Sequence, residues 1–381
     1  MTHDLFGSIF NMNKNRNLVF YYPLGEGAPS SVGRSVFEYL LKKRDELPFD
    51  NVSIFSRSRD KKVLESKFKG IPVLTKKDLL NIKNSVIHIP ISPLVFPNTK
   101  FLLHLLAKFR NNVLVLNYHG DIRTEVSLNY KNNHSINYSY IPTYVLLPTI
   151  LRSATQLVVH SYLFRELVFD KYGVTDAKVI PNAVGDYWRS PSYAPISLDK
   201  GRMNIFYHGR LSAEKGIDIL VKGFAKFLED NKNCDAMLFI AGDGPQRNYL
   251  EKIINDLNLH QHAVLLGNLD KSLIKGYLKE VDAAIYPSVW DNFPLSYIEA
   301  FTCANCPVYF SKKAGIYDFI LQSNTQLYAF EPDANVVCNI LHSICRKDFN
   351  PTIIEDQRNF ALNYRWDNII NIYMNMYLEI K

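Results

Sequence analysis

The chain has 381 residues, of which 47% are apolar, 13% aromatic and 21% charged. That excludes a disordered, collagen-like or coiled-coil protein and, at this length, calls for two hydrophobic cores. The net charge of +7 is uneven: residues 1–195 hold 25 basic and 15 acidic side chains, a surplus of ten, whereas residues 196–381 hold 19 and 22, a deficit of three.

In the first half, strands are expected at Leu18–Tyr22, Val52–Phe55, Val86–Ile89, Val113–Asn117, Leu157–His160 and Lys178–Ile180, a second parallel sheet less cleanly marked than the one that follows. Asp186 to Lys200, with Pro191, Pro195 and three serines, reads as a linker, with the boundary near Ala194. Beyond it, β-rich runs alternate with helical periodicity: Asn204–His208, Ile217–Leu228, Ala236–Ala241, Pro245–Leu257, Ala263–Leu266, Leu273–Lys279, Ala283–Tyr286, Leu295–Thr302 and Pro307–Phe310. That alternation predicts a doubly wound parallel sheet. Ile369, Ile370, Tyr373 and Tyr377 sit at helical spacing within Trp366–Leu378, so a last helix is expected. The domains are therefore placed at 1–194 and 195–362, with 363–381 as a helix packing back on the first.

Ligands of doubly wound sheets bind outside the carboxyl ends of the strands. After Asn204–His208 come Gly209-Arg210 and then Lys215-Gly216 before a helix. Two cations there suit a diphosphate, although lysine and arginine on loops are commonplace. After the next strand, Gly242-Asp243-Gly244-Pro245 reads as turn chemistry or as a place where a ligand approaches the backbone. Asp291 and Glu299 have seven residues between them, one in a loop and one a turn into a helix whose first N–H groups, at Leu295 and Ser296, can hold an anion. Each acid can accept vicinal sugar hydroxyls; an N-capping Asp and a surface Glu fit the same letters.

Taken together, Phe206–Gly223 (FYHGRLSAEKGIDILVKG), Leu238–Pro245 (LFIAGDGP), Asp282–Ser288 (DAAIYPS) and Asp291–Glu299 resemble the retaining GT-B glycosyltransferases, most closely glycosyltransferase family 4. Leu157–Leu167 (LVVHSYLFREL) and Val179–Val184 (VIPNAV) extend the resemblance, which is good over roughly residues 155–380. It implies a GT-B fold, two Rossmann-like α/β domains facing a central cleft, with the acceptor in the first and a nucleotide-diphosphate sugar in the second. By similarity, Arg210 and Lys215 bind the diphosphate together with Gly209, Gly242, Leu295 and Ser296, Glu299 binds the ribose, and Asp291 the transferred hexose. The Gly25-Glu26-Gly27 loop is similar to the glycine loop that closes on the phosphate, and His119 to the family histidine near the anomeric carbon. A lone histidine is also often structural.

The chain departs from the family in several places. Asp291 stands for the first glutamate of the pair and Asn292 for the glycine that usually follows it. Cys303-Ala304-Asn305-Cys306-Pro307 is one residue longer than the usual turn, and Gly315-Ile316-Tyr317-Asp318 again carries Asp for Glu. Shortened acids mark an unusual donor or a subunit that no longer catalyses.

No Asp-x-Asp occurs, so the carboxylate pair of metal-dependent glycosyltransferases is missing. Cys303-x-x-Cys306 and His260-x-His262 each lack two further zinc ligands, and the cysteine pair reads as a buried helix end. Gly25-x-Gly27 lacks the third glycine of a dinucleotide fingerprint. No cofactor and no metal are expected.

Five cysteines without framework spacing fit a reducing compartment. The longest apolar run, Tyr140 to Val159, is broken by Pro142, Pro148, Arg152 and Gln156, short of the ~20 residues that span a bilayer. A cytoplasmic protein is expected. Nine basic residues against three acids between Arg57 and Lys83 suit an anionic partner or a solvated face. Lys100–Arg110, apolar with basic ends, and Tyr138, Tyr140 and Tyr144 before Val145–Leu151 suit either a buried helix or contact with the inner membrane face. The partners expected are a sugar-nucleotide donor, a glycan or lipid-linked acceptor and an anionic membrane surface, with no nucleic acid. The readings kept beside a glycosyltransferase of polysaccharide or glycolipid biosynthesis are a non-catalytic GT-B subunit and a GT-B epimerase or phosphorylase.

Overall fold

The computed structural model describes residues 16–25, 27–56, 60–75, 77–91, 110–133, 141–231 and 234–380. Among the described residues, thirteen strands form two parallel sheets. The first contains β1 (Asn17–Tyr21), β2 (Asn51–Phe55), β3 (Val73–Leu74), β4 (Ser85–Ile89), β5 (Val113–Asn117), β6 (Gln156–Val159) and β7 (Ala177–Val179), in the order β3-β2-β1-β4-β5-β6-β7. The second contains β8 (Met203–His208), β9 (Ala236–Ala241), β10 (Ala263–Gly267), β11 (Ala283–Tyr286), β12 (Val308–Ser311) and β13 (Tyr328–Phe330), in the order β10-β9-β8-β11-β12-β13.

Both orders reverse next to the first strand of the sheet, between β1 and β4 and between β8 and β11. Each reversal opens a crevice at the strands' carboxyl ends. This is the expected GT-B architecture. The edge strands β3 and β13, two and three residues long, carry too little period-two pattern to be read from sequence.

Helices cover both faces of each sheet, so the strands between are apolar on both sides. In β1, Leu18 and Phe20 enter one core with the helix Ala28–Lys42, while Val19 and Tyr21 enter another with the helices Ile141–Arg152 and Tyr162–Tyr172. The second sheet has a single large core, to which the helix Ile217–Asp230 contributes Leu220, Val221, Phe224 and Phe227.

The helix Trp366–Glu379 leaves the second domain and packs on the first. Trp366, Ile369, Ile370, Tyr373 and Tyr377 share a core with Leu18, Phe37 and Val86. A buried polar chain pins it there: Tyr377 Oη lies 2.5 Å from His88 Nδ1, His88 Nε2 lies 2.9 Å from Asn117 Oδ1, and Asn117 Nδ2 donates to Tyr373 Oη at 2.8 Å. Burial pushes the His88 imidazole down to about 4 from its ordinary 6.5, so this histidine is neutral at pH 7.

Candidate active site

Two glycine turns build the wall at the end of β8. Gly209 has φ 151 and Gly242 φ 129, and a Cβ on Gly242 would stand 1.9 Å from the Gly209 carbonyl oxygen. Only glycines let these loops touch backbone to backbone. The pair is tied by Gly209 N–H donating to the Ala241 carbonyl at 3.0 Å and Leu211 N–H to that of Asp243 at 3.0 Å. Arg210 projects from this wall with an exposed side chain.

Gly216, left-handed at φ 63, starts the helix Ile217–Asp230 and fits against the Pro287 carbonyl, where a Cβ would come within 2.3 Å. The loop after β11 docks on the same turn, Val289 N–H donating to the Glu214 carbonyl at 2.9 Å. This docking brings the Lys215 ammonium onto the Asp291 carboxylate, an ion pair whose side chains are only 19% and 12% exposed. Burial pushes the Asp291 carboxyl up, against the opposing pull of Lys215.

The helix Leu295–Cys303 begins beside this pair after Pro294, with no side chain capping its N-terminus. Glu299, one turn in, is held by His208 of β8, its Oε2 lying 3.1 Å from His208 Nε2, while Tyr286 Oη is 2.7 Å from His208 Nδ1. Cys303 closes the helix as a buried residue whose thiol burial pushes up to about 12, and Cys306 is buried behind it, in keeping with a buried helix end.

Across from this wall, His119 follows β5. Its Nε2 is 2.8 Å from the Pro90 carbonyl oxygen, and since a carbonyl only accepts, Nε2 carries the proton. Its ring lies 4.3 Å from that of buried His160. Asp121, two residues on, anchors the loop by accepting from Tyr118 Oη at 2.9 Å, Thr124 N–H at 3.2 Å and Lys171 Nζ at 3.0 Å, with Tyr172 Oη as a further donor. Burial pushes the Asp121 carboxyl up, but these donors together hold it below its ordinary value. Gly25 follows β1 and its carbonyl takes Arg34 Nη1 at 2.8 Å, while Gly27, at φ 95, precedes the helix Ala28–Lys42. Glu26 lies outside the described residues, as do Arg57, Arg59, Lys76, Lys100–Phe109, Tyr138 and Tyr140.

Asn292 joins the two walls. Its amide donates to the carbonyls of His119 at 2.9 Å and Tyr118 at 3.3 Å, and its oxygen accepts from Ser161 Oγ at 2.9 Å. Nearby, Asp318 accepts the Leu163 N–H at 2.8 Å at the start of the helix Tyr162–Tyr172. Gly315 lies where the domains touch; a Cβ there would fall 2.2 Å from both the Asn292 carbonyl oxygen and Ser161 Oγ. Asn292 and Asp318 stand out in the sequence only as departures from a family pattern, and His208 and Tyr286 only as strand residues. That all four fix loop positions depends on contacts with distant parts of the chain.

Residues 193–345, the second domain with little else, match the family model described as glycosyl transferases group 1. Over this segment the chain is similar to the group 1 glycosyl transferases. An uncharacterised glycosyltransferase of Methanocaldococcus jannaschii is 29% identical over 185 residues, covering 48% of this chain and 46% of that one. The chain spans about half the length of the curated relatives it matches. Among solved structures, sucrose-phosphate synthase from Thermosynechococcus elongatus superposes with a TM-score of 0.67 at 16% identity over 95% of this chain and 98% of that one. Anabaena HepE, solved with UDP, superposes with 0.65 at 17% identity over 95% and 99%. Both likenesses span the two domains and show the GT-B fold.

Proposed function

We propose that the protein is a retaining glycosyltransferase that moves a hexose from a nucleoside diphosphate to an acceptor hydroxyl, with no metal ion in the chemistry. The observation that carries this reading is the convergence of Lys215, Asp291, Glu299 and an uncapped helix N-terminus at the switch point of the second domain, with His119 facing them across the Asn292 contact.

In this reading the diphosphate lies between Arg210, Lys215 and the N–H groups of Leu295 and Ser296. Its growing negative charge as the glycosidic bond breaks is met by fixed cations and a helix dipole. Glu299, held by His208, accepts the two ribose hydroxyls. Gly209 and Gly242 let the ligand approach the backbone, and Gly25 and Gly27 bring the first domain's loop to the phosphates. Lys215 is paired with Asp291. An arriving diphosphate competes for that ammonium and releases Asp291 toward the sugar hydroxyls, so donor binding itself assembles the sugar contact. The acceptor hydroxyl attacks from the face the diphosphate leaves, near His119. UDP is the diphosphate of the Anabaena neighbour and the first to try here.

A second reading, a GT-B subunit that binds sugar nucleotide without transferring it, is favoured by one observation: Asn292 fills the place beside Asp291 and ties it to the first domain. One experiment covers both readings. Donor sugar nucleotides are followed by proton NMR with glycan and lipid-linked acceptors, with and without EDTA. Transfer in chelator, with the donor's anomeric configuration in the product, is expected. Inversion, or transfer that needs Mn²⁺, overturns the first reading; donor binding without transfer to any acceptor selects the second.

For the acceptor side, we place the substrate at a cytoplasmic membrane face. Among the described residues no helix is long and apolar enough to cross a membrane. The helix Ile141–Arg152 exposes Ile141, Tyr144, Val145 and Leu146 on the domain that carries the surplus of ten positive charges.

A further inference from the structure

The helices Ile217–Asp230 and Ala334–Cys345 lie in tight contact. Gly223 sets the spacing, since a Cβ on it would come within 2.6 Å of Val337 Cβ and 2.7 Å of the Ala334 carbonyl oxygen. They bring together three side chains of different donor chemistry: Asp230, the last residue of the first helix, and Cys338 and His342, four residues apart in the middle of the second and so on one face of it. Cys338 Sγ stands 3.6 Å from Asp230 Oδ2, and His342 Nε2 stands 3.7 Å from the same oxygen. All three donor atoms lie within 4.8 Å of one another.

The separations of 3.6 and 3.7 Å to Asp230 Oδ2 are close to those of a particular geometry. A tetrahedral zinc ion with bonds of about 2.3 Å to sulfur, 2.0 Å to nitrogen and 2.1 Å to oxygen holds neighbouring ligand atoms roughly 3.4–3.6 Å apart. We propose that Asp230, Cys338 and His342 form a site for a transition-metal ion of the zinc class, with water in the fourth position. The thiol and the imidazole select such an ion over Mg²⁺ or Ca²⁺, which take oxygen.

The surroundings supply what such a site needs. Cys338 is buried, His342 half-buried and Asp230 exposed, so the metal enters from solvent and the sulfur is shielded. The Asn231 amide meets His342 Nδ1 at 2.6 Å. Here Asn231 Nδ2 faces that nitrogen; as the ion binds, the carboxamide turns its oxygen to it, so that Asn231 accepts the Nδ1 proton and leaves the Nε2 lone pair for the ion. The thiol gives its proton to solvent as the sulfur–metal bond forms.

The site lies apart from the sugar chemistry. It sits at the far end of a helix of 14 residues that starts next to Lys215, a length of about 21 Å. It staples that helix to its neighbour and holds the base on which the diphosphate-binding turn is mounted.

Near this site, Cys234 and Cys345 bring their sulfurs within 2.7 Å, a thiol pair that also attracts soft metals, so the test separates the two. Reduced, metal-stripped protein is titrated with Co²⁺ and followed by the thiolate-to-cobalt charge-transfer absorption, then by displacement with Zn²⁺. The expected result is one equivalent bound in the wild type, weakened at least about tenfold in Cys338→Ser and in His342→Gln, and retained in Cys234→Ser/Cys345→Ser. Zn²⁺ should also raise the melting temperature of the wild type and the double variant, but not of Cys338→Ser. No charge-transfer band in the wild type, a band that survives both single changes, or its loss in the double variant overturns the proposal.

Discussion

The Asn292 side chain donates to the His119 carbonyl at 2.9 Å, so the loop that carries Asp291 in one domain holds the loop that carries His119 in the other. The same carboxamide engages Tyr118 and Ser161, and it is only 3% exposed. Replacing it with glycine leaves two carbonyls and a hydroxyl without their partner, a loss of about 1–3 kcal/mol from the domain contact. Asn292→Gly should raise the donor KM and speed amide exchange over residues 118–121 while leaving the rest of either domain protected. Unchanged exchange in that segment would show that the contact does not hold the domains together.

Asp291→Glu tests whether the site is adapted to the shorter acid. The carboxylate is buried against Lys215, and the turn around it is filled by Gly216, Glu214 and Val289. An extra methylene in a packed place costs roughly 1–3 kcal/mol. Transfer should therefore fall by about tenfold or more, and a gain would instead favour a subunit that has decayed from an active ancestor.

Acid should loosen the attachment of the last helix. His88 is buried and neutral, with its pKa at about 4 against 6.5 when free. A histidine depressed in the folded state contributes stability that is complete above about 6.5 and is lost as pH falls from there toward 4, because only the unfolded chain takes up the proton. A difference of this size is worth about 3 kcal/mol. His160 is pushed down as well, first by burial and then by His119, and acts in the same direction. The melting temperature should drop between pH 7 and pH 5, and His88→Gln should flatten the curve. A pH-independent melting temperature in the wild type would contradict the neutral buried pair.

Membrane attachment should depend on charges that the fold leaves exposed. Lys67 is engaged by Glu38 at 2.8 Å and Tyr22 at 2.9 Å, and Lys61 by Glu65 at 3.6 Å, whereas Lys62, Lys69, Lys77 and Lys83 are exposed. Each basic side chain near an anionic bilayer adds about 1 kcal/mol, screened within about 8 Å at physiological salt. Changing those four to Gln should abolish low-salt co-sedimentation with anionic vesicles. Equal sedimentation with neutral vesicles, or none with either, would point to a soluble acceptor.

Much of this architecture is legible in the letters. Strands covered on both faces are short unbroken apolar runs, so β5, β9 and β11 coincide with their sequence-derived bounds, and most others shift by a single residue. The positions of Lys215, Asp291 and Glu299 follow from loop and helix spacing after strands. What does not show is any feature made by long-range contact. Asp318 reaches across 155 residues to the Leu163 amide and Asn292 across 173 to His119, and neither carries a local signal. The helix Ile122–Asn133 passes unread for a different reason, since polar residues interrupt its apolar period, whereas Ala334–Cys345 carries Val336, Val337, Ile340, Leu341 and Ile344 at helical spacing and is legible in the letters.

The central claim is that Lys215 binds a nucleoside diphosphate in competition with Asp291. Calorimetry with UDP, GDP and ADP on the wild type, Lys215→Ala and Asp291→Asn tests it most directly, with thermal unfolding to confirm that each variant is folded. One of the three diphosphates should bind, Lys215→Ala should weaken it at least about tenfold, and Asp291→Asn should leave it unchanged or tighter because the ammonium is released from its partner. Wild-type affinity in Lys215→Ala, or no binding of any of the three, would contradict the account.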